Sequence, residues 1–301
     1  MNATARVRVP AKVNLSLAVG ATDADGYHEL ATVFQALSLF DDLEASRADA
    51  GTFRLSFRGE GAAFLPTDGQ NLAIRAARVM AERFDVADAG LELQIRKRIP
   101  VAGGMAGGSA DAAAVLVACN HLWECGATGQ ELAAIGATLG ADVPFALLGG
   151  TALGSGRGDL VEPLPTQGTY HWTLALSHTG LSTPAVFRQF DQRGTPAGKP
   201  EVARDLLEGL AAGDVEKVGA SLRNDLQDAA IALQPTLAGT LDIGRQADAL
   251  GALVSGSGPT CAFLARDEDH ARQIAEALAV FSGVRAVRVT HGPVPGARMG
   301  T

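Results

Sequence analysis

The sequence is poor in cysteine, aromatic residues and lysine. Its three cysteines, Cys119, Cys125 and Cys261, show no metal-ligand spacing and cannot all pair, which favours a reducing cytoplasm over a disulfide-stabilised fold. Aromatic residues make up 5% of the 301 residues, and only two of them are tyrosines. Only four of the 25 basic residues are lysines, so a lysine at a special position invites a functional explanation.

Net positive charge and long apolar runs are also absent. The formal charge of -8 argues against a broad nucleic-acid surface. No stretch reaches the ~18 apolar residues of a membrane span, and residues 13–20 are interrupted by Asn14 and Ser16, so we expect neither a membrane anchor nor a cleaved leader. The composition predicts a cytoplasmic protein with a small-molecule partner and no obligatory protein partner, and the 47% hydrophobic content supports a substantial core.

Hydrophobic periodicity predicts a mixed α+β protein. Apolar residues alternate over residues 7–19, as one strand or as two strands that meet near Pro10, which leaves Lys12, Asn14 and Ser16 on the opposite face. Further strands are predicted at residues 32–39, 53–57, 91–95, 253–255, 261–265 and 284–289, and helices at 72–84, 110–123, 129–139, 201–212, 215–225 and 233–250. Asn71 and Thr128 are the expected caps of the first and third helices.

A glycine-rich loop at residues 100–109 joins a predicted strand to a predicted helix that Ser109 is expected to cap. Such a loop presents backbone N–H groups at the positive end of the helix dipole, and its small residues let an anion approach. The loop lacks the Gly-Lys-Ser/Thr of a Walker loop, and no acidic residue follows as a dinucleotide site requires. The pattern therefore indicates a phosphate site, with a tightly packed turn as the alternative.

Three motifs, in the same order, resemble those of the GHMP kinases, a family of small-molecule kinases. They are Pro10-Ala-Lys12-Val-Asn14, the glycine loop itself, and Ser255-Gly-Ser-Gly-Pro-Thr260. The family's catalytic aspartate lies in the pattern Gly-x-Asp-Val-Pro, which matches Asp142 here. Taken singly, Lys12 could be an exposed strand charge and Asp142 a turn residue after a helix.

The resemblance implies a two-domain GHMP kinase fold, with a ribosomal-protein-S5-like domain at residues 1–160 and a ferredoxin-like domain at 161–301. It implies that Lys12 and Asp142 are catalytic and that ATP with Mg²⁺ is the phosphoryl donor. Metal ligands stay open: Ser109 is expected near the ion, whereas Asp111 must face away, cap the helix or approach it. The implied ATP-binding residues are Asn71, Leu72, Lys97, Pro100, Val101, Ala102, Gly103, Gly104, Met105, Ala106, Gly107, Gly108, Ser109 and Ala110. The implied supports of the phosphate loop are Gly256, Ser257 and Gly258.

The segment Asp25-Gly-Tyr27-His28 is similar to the isoprenoid-pathway branch of the family, whose substrate is a cytidyl derivative of methylerythritol. The resemblance implies transfer of the γ-phosphoryl group of ATP to the 2-hydroxyl of that substrate. The implied substrate-binding residues are Asn14, Tyr27, His28, Phe34, Thr183 and Phe187, with Phe34 and Phe187 flanking the base. Two alternatives remain open: another GHMP kinase, of the homoserine or mevalonate type, and a non-catalytic ATP-binding regulator on the same fold.

Overall fold

The computed structural model describes residues 3–24, 26–194 and 198–300, so Asp25 of the predicted turn lies outside the described residues. The strands are β1 (Thr4–Thr22), β2 (His28–Arg47), β3 (Phe53–Gly59), β4 (Leu91–Lys97), β5 (Thr151–Ser155), β6 (Leu160–Pro163), β7 (Tyr170–Leu176), β8 (Arg223–Asn224), β9 (Gly251–Val254), β10 (Cys261–Ala265), β11 (Ala286–Gly292) and β12 (Arg298–Met299). The helices are α1 (Leu72–Arg83), α2 (Gly107–Leu122), α3 (Gly129–Leu139), α4 (Val143–Leu148), α5 (Thr183–Asp191), α6 (Arg204–Ala212), α7 (Val215–Ala220), α8 (Gln227–Leu233), α9 (Thr236–Gln246) and α10 (Glu268–Ala279).

The first sheet is built on the long antiparallel pair β1 and β2. Its strand order is β12-β1-β2-β4-β3, with β5 and β6 continuing from β2 and β8 added to β1. Strand β1 is continuous through Pro10, and the register with β2 shifts between Pro10 and Ala11. Of the two sequence alternatives, a single strand is therefore right, and the irregularity accommodates the proline.

The second sheet is antiparallel, in the order β11-β7-β10-β9. A buried amide connects the two sheets: the indole of Trp172 donates to Gln35 Oε1 at 3.0 Å, and Gln35 Nε2 donates to Thr151 Oγ1 at 3.2 Å. Strand β6 still pairs in the first sheet, and β7 opens the second, while β8 and β12 return to the first. A division near residue 160 stays a prediction.

Two helices with polar caps, α1 and α3, begin where the sequence predicts. Asn71 accepts a hydrogen bond from the backbone of Ala73 at the start of α1, and Thr128 forms a capping box with Glu131 at α3. Four helices were not predicted: α4, α5 and α8, which have no side-chain cap, and α10, which Asp267 caps. Among the described residues, no helix is both long and apolar enough to cross a membrane.

Candidate active site

A cleft of about 550 Å³ collects most of the predicted site residues. It is lined by Lys12, Asn14, Phe34, Asn71, Leu72, Lys97, the loop from Pro100 to Ser109, Asp142, Thr183, Phe187, Gly256 and Ser257. Four predicted residues, Tyr27, His28, Ala110 and Gly258, are not part of its lining. Motifs far apart in the sequence therefore meet around one cleft.

The glycine loop opens directly into α2, whose first turn faces the cleft. Ala106 is the N-cap in the left-handed conformation, with φ of 60°, and makes no side-chain cap hydrogen bond. Ala110 donates its N–H to the Ala106 carbonyl, so the N–H groups ahead of it, at Gly107 to Ser109, have no partner within the helix. The predicted serine cap is wrong, because α2 begins two residues before Ser109, but the exposed helix N-terminus suits a phosphate.

The third motif packs under the loop at van der Waals distance. Gly104 has φ of +72°, and a Cβ there would lie 2.2 Å from the Ser255 carbonyl oxygen. The hydroxyl of Ser255 donates to the Gly104 carbonyl at 3.3 Å, and the backbone N–H of Thr260 donates to the Gly103 carbonyl at 3.4 Å. Glycine at 104 is required both by this close approach and by its backbone conformation.

Lys97 lies beneath the same loop, in a buried ionic cluster. Its ammonium contacts Asp41 Oδ2 at 2.5 Å and Asp111 Oδ2 at 2.7 Å, and it donates to the Gly107 carbonyl at 3.2 Å. All three side chains are at most 5% exposed. Two of these contacts are hydrogen bonds, to Asp111 and to Gly107, and the third is an ion pair with Asp41, so Lys97 reaches the cleft as a support of α2.

Asp111 has one oxygen bound to Lys97, whereas its Oδ1 is buried without a hydrogen-bond partner in the described part of the chain. Burial raises the pKa of Asp111 to about 7; the charge of Lys97 opposes this rise and that of Asp41 adds to it. Two carboxylates share one ammonium here, which leaves the cluster one positive charge short. None of the three orientations predicted for Asp111 anticipated this ion pair.

Lys12 lies on the floor of the cleft and is only 7% exposed. Its ammonium donates to Asn14 Oδ1, and Asn14 in turn donates to Thr32 Oγ1 at 2.8 Å. Burial lowers the pKa of Lys12, while the negative charge of Asp142 raises it. The sequence correctly placed Lys12 and Asn14 on the face of β1 opposite the alternating apolar residues, yet this face is buried beneath the cleft.

Asp142 stands at the N-cap position of α4 but makes no side-chain cap hydrogen bond. Its carboxylate is thus not used by the helix and lines the cleft with Lys12. Phe34 stacks on Phe145, with ring centroids 4.8 Å apart, and its ring centroid lies 5.5 Å from the ammonium of Lys12. Phe34 therefore lies beside Lys12, and its role in flanking a base together with Phe187 stays a prediction.

His28 is used to hold α5 against the end of β1. Its Nδ1 lies 2.8 Å from the Gly20 carbonyl and its Nε2 lies 3.0 Å from Asp191 Oδ1. The imidazole stacks on Phe187, with ring centroids 5.2 Å apart. Both ring nitrogens have protein partners, and Phe187, on which the imidazole stacks, lines the cleft.

Tyr27 is 55% exposed at the rim, and its contacts were not predicted. The Arg157 guanidinium lies 3.9 Å from the centroid of the Tyr27 ring and 3.2 Å from Asp23 Oδ2. Elsewhere in the lining of the cleft, the hydroxyls of Thr183 and Ser257 are 2.8 Å apart and join α5 to the third motif.

Sequence reasoning missed three polar residues that organise the site. Asp41 was indistinguishable from Asp42 in the sequence, although only Asp41 is buried. Asn224 donates to the Val254 and Gly256 carbonyls at 2.6 and 2.7 Å and so fixes the third motif. Arg157 lies between two glycines, a signal that could have marked it as the tip of a turn.

Comparison with known proteins identifies the family. The N-terminal domain of the GHMP kinases matches residues 71–150, and the C-terminal domain of the GHMP kinases matches residues 206–282. A 4-diphosphocytidyl-2-C-methyl-D-erythritol kinase of Thermobifida fusca is 54% identical, over 97% of this chain and 96% of that protein. An enzyme of the same name from Streptomyces avermitilis is 51% identical, over 97% of this chain and 98% of its own length.

Solved structures agree on the two-domain α+β fold. A crystal structure of 4-(cytidine 5'-diphospho)-2C-methyl-D-erythritol kinase has a TM-score of 0.76 and 35% identity, covering 97% of this chain and 99% of that one. A homoserine kinase from Cytophaga hutchinsonii has a TM-score of 0.77 but 20% identity, covering 98% and 97%, so it shows the fold alone. Backbone similarity does not separate these enzymes, whereas sequence identity does. The chain therefore belongs to the GHMP kinase family and, within it, to the group of 4-diphosphocytidyl-2-C-methyl-D-erythritol kinases.

Proposed function

We propose that this chain transfers the γ-phosphoryl group of ATP to the 2-hydroxyl of 4-diphosphocytidyl-2-C-methyl-D-erythritol, giving the 2-phosphate and ADP. This reaction belongs to the non-mevalonate route to isoprenoid precursors. The main support is that Lys12 and Asp142 line the same cleft as the first turn of α2. The names of relatives more than 50% identical supply the substrate.

In the proposed reaction, Asp142 accepts the proton of the substrate hydroxyl. A bond forms between that oxygen and the γ-phosphorus, and the bond from the γ-phosphorus to the bridging oxygen of ADP breaks. Lys12 neutralises charge on the phosphoryl group and, with Asn14 holding its ammonium, is positioned before substrate binds. Because phosphoryl transfer passes through a loose transition state, this positioning matters more than the strength of Asp142 as a base.

The phosphates of ATP fit the unpaired N–H groups at Gly107 to Ser109. We place the adenine near Asn71 and Leu72, as the resemblance implies, whereas the ammonium of Lys97 is held by Asp41, Asp111 and the Gly107 carbonyl.

Mg²⁺ fits the chemistry of the end of the cleft that the first turn of α2 forms. No group of three or more His, Cys, Asp or Glu side chains suited to a metal is found among the described residues. An ion that accompanies ATP would be held mainly by the phosphates. Ser109 and the unpartnered Oδ1 of Asp111 are the oxygens that would hold it. Bound there, the ion would neutralise phosphate charge.

The base end of the cleft is assigned to cytosine. Phe187, backed by the His28 ring, offers one aromatic face, and Tyr27 at the rim offers a second. Thr183 and Asn14 line the cleft between the base and the reacting hydroxyl. Phe34, next to Lys12, is placed against the methylerythritol part.

The function is tested by following product formation by ³¹P NMR with ATP and the cytidyl substrate. A new phosphomonoester signal on the substrate, with release of ADP, is expected. The same assay with homoserine and with mevalonate addresses the rival kinase activities, and we expect no turnover of either. ATP binding without phosphoryl transfer to any of the three alcohols would favour a non-catalytic regulator.

The three free cysteines support the cytoplasm as the location of this protein.

A further inference from the structure

Arg157 is a cationic residue at the rim of the cleft that the catalytic scheme does not use. Its guanidinium stacks over the Tyr27 ring at 3.9 Å from the centroid, within the distance of a strong cation–π contact. The same guanidinium reaches Asp23 Oδ2 at 3.2 Å, and the other oxygen of Asp23 accepts the Tyr27 backbone N–H at 2.8 Å. The ring of Tyr27 and the turn that bears it are thus both tied to Arg157.

The turn that presents Arg157 is itself well anchored. Gly156 and Gly158, on either side, have φ of 66° and 90°, and the Gly156 carbonyl accepts from the backbone N–H of Leu30 on β2 at 2.8 Å. The backbone N–H of Arg157 donates to Asp159 Oδ1 at 3.0 Å. The guanidinium is therefore extended from a fixed backbone towards the exposed side chain of Tyr27.

We propose that Arg157 is a positioning residue for the cytidyl substrate: it holds the Tyr27 ring against the rim so that its free face is ordered for stacking on the base. This inference rests on the proposed function. An exposed aromatic loses rotational freedom when a ligand stacks on it, and a pre-existing stack on the opposite face removes part of that cost. Arg157 acts through Tyr27 and is not assigned a direct contact with the substrate.

The test is a double-mutant cycle on substrate binding. The dissociation constant of the cytidyl substrate, without ATP, is measured by calorimetry for the parent, Arg157→Gln, Tyr27→Leu and the double variant. We expect Arg157→Gln to weaken binding about two- to fivefold, as fits an exposed cation–π contact, and to have no further effect when Tyr27 is already replaced. Arg157→Lys should recover part of the loss. The KM for ATP and the midpoint of thermal unfolding should not change.

The matched control is Arg298→Gln, which removes a guanidinium 5.8 Å from the centroid of the Phe40 ring and away from the cleft; substrate affinity should be unaffected. If Arg157→Gln weakens binding equally with and without Tyr27, the guanidinium contacts the substrate directly and the positioning role is wrong. Unchanged affinity in Arg157→Gln also overturns it. A parent protein that does not bind the cytidyl substrate overturns the proposed function as well.

Discussion

Charged groups in opposite environments stabilise the two ends of the cleft. The phosphate end lies at the first turn of α2, and the base end lies at Tyr27 and Phe187. At the phosphate end, Lys97 and its two carboxylates are almost fully buried, whereas at the base end the side chains of Arg157 and Asp23 are each 44% exposed. A buried charge that loses its partner is costly, while an exposed pair contributes little to stability. Changes at the phosphate end should therefore be felt in folding, and changes at the base end in substrate affinity alone.

The largest effect is expected from Lys97→Met. It leaves Asp41 and Asp111 buried without a cation, and we expect the free energy of unfolding to fall by about 3 to 5 kcal/mol. Urea denaturation measures this loss. Lys217→Met is the control, because Lys217 also bridges two carboxylates but at the surface, and it should cost little. Equal losses in the two variants would show that burial does not distinguish the clusters.

Between the two ends, Asp142→Asn separates catalysis from folding. The carboxylate makes no cap hydrogen bond, so the variant should still fold cooperatively, whereas the turnover number should fall about a hundredfold or more without the general base. Steady-state kinetics and thermal unfolding of the same preparation check both parts. The exposed Asp242→Asn serves as the control and should leave turnover intact. Turnover close to that of the parent would remove Asp142 from its proposed role.

At the base end, Tyr27→Leu should raise the KM for the cytidyl substrate about tenfold, the value of a lost base stack, at unchanged stability. The KM for ATP is the internal control and should stay the same. Loss of stability without a change in the substrate KM would mean that Tyr27 only packs at the rim.

The smallest effect is a pH dependence of stability at Asp111. Its pKa of about 7 in the folded protein lies above the usual value near 3.9, so the folded state binds more protons between these pH values. Stability therefore falls as pH rises through this range, and Asp111→Asn removes that loss. Relative to the parent, the variant should gain about 1 kcal/mol between pH 6 and pH 7.5 in urea titrations. Parallel pH profiles would contradict the assignment.

The contrast between the two ends also shows which parts of the site can be predicted from the sequence. The glycine loop, Lys12 and Asp142 were predicted because each lies in a short motif, and the structure places all three around one cleft. The ion pair of Lys97 with Asp41 and Asp111 was not, because its members come from β4, from the middle of β2 and from α2. No local pattern tells which of two adjacent aspartates will face a buried ammonium.

By itself, the sequence determined the family, the α+β class and the position of the glycine loop, since these depend on local glycine conformations, alternating apolar residues and motif spacing. Only the tertiary structure decided what each polar side chain contacts. His28 contacts Asp191 and Arg157 contacts Tyr27, across 163 and 130 positions of the sequence. Such contacts depend on how β1, β2 and α5 meet, which is a property of packing rather than of local periodicity.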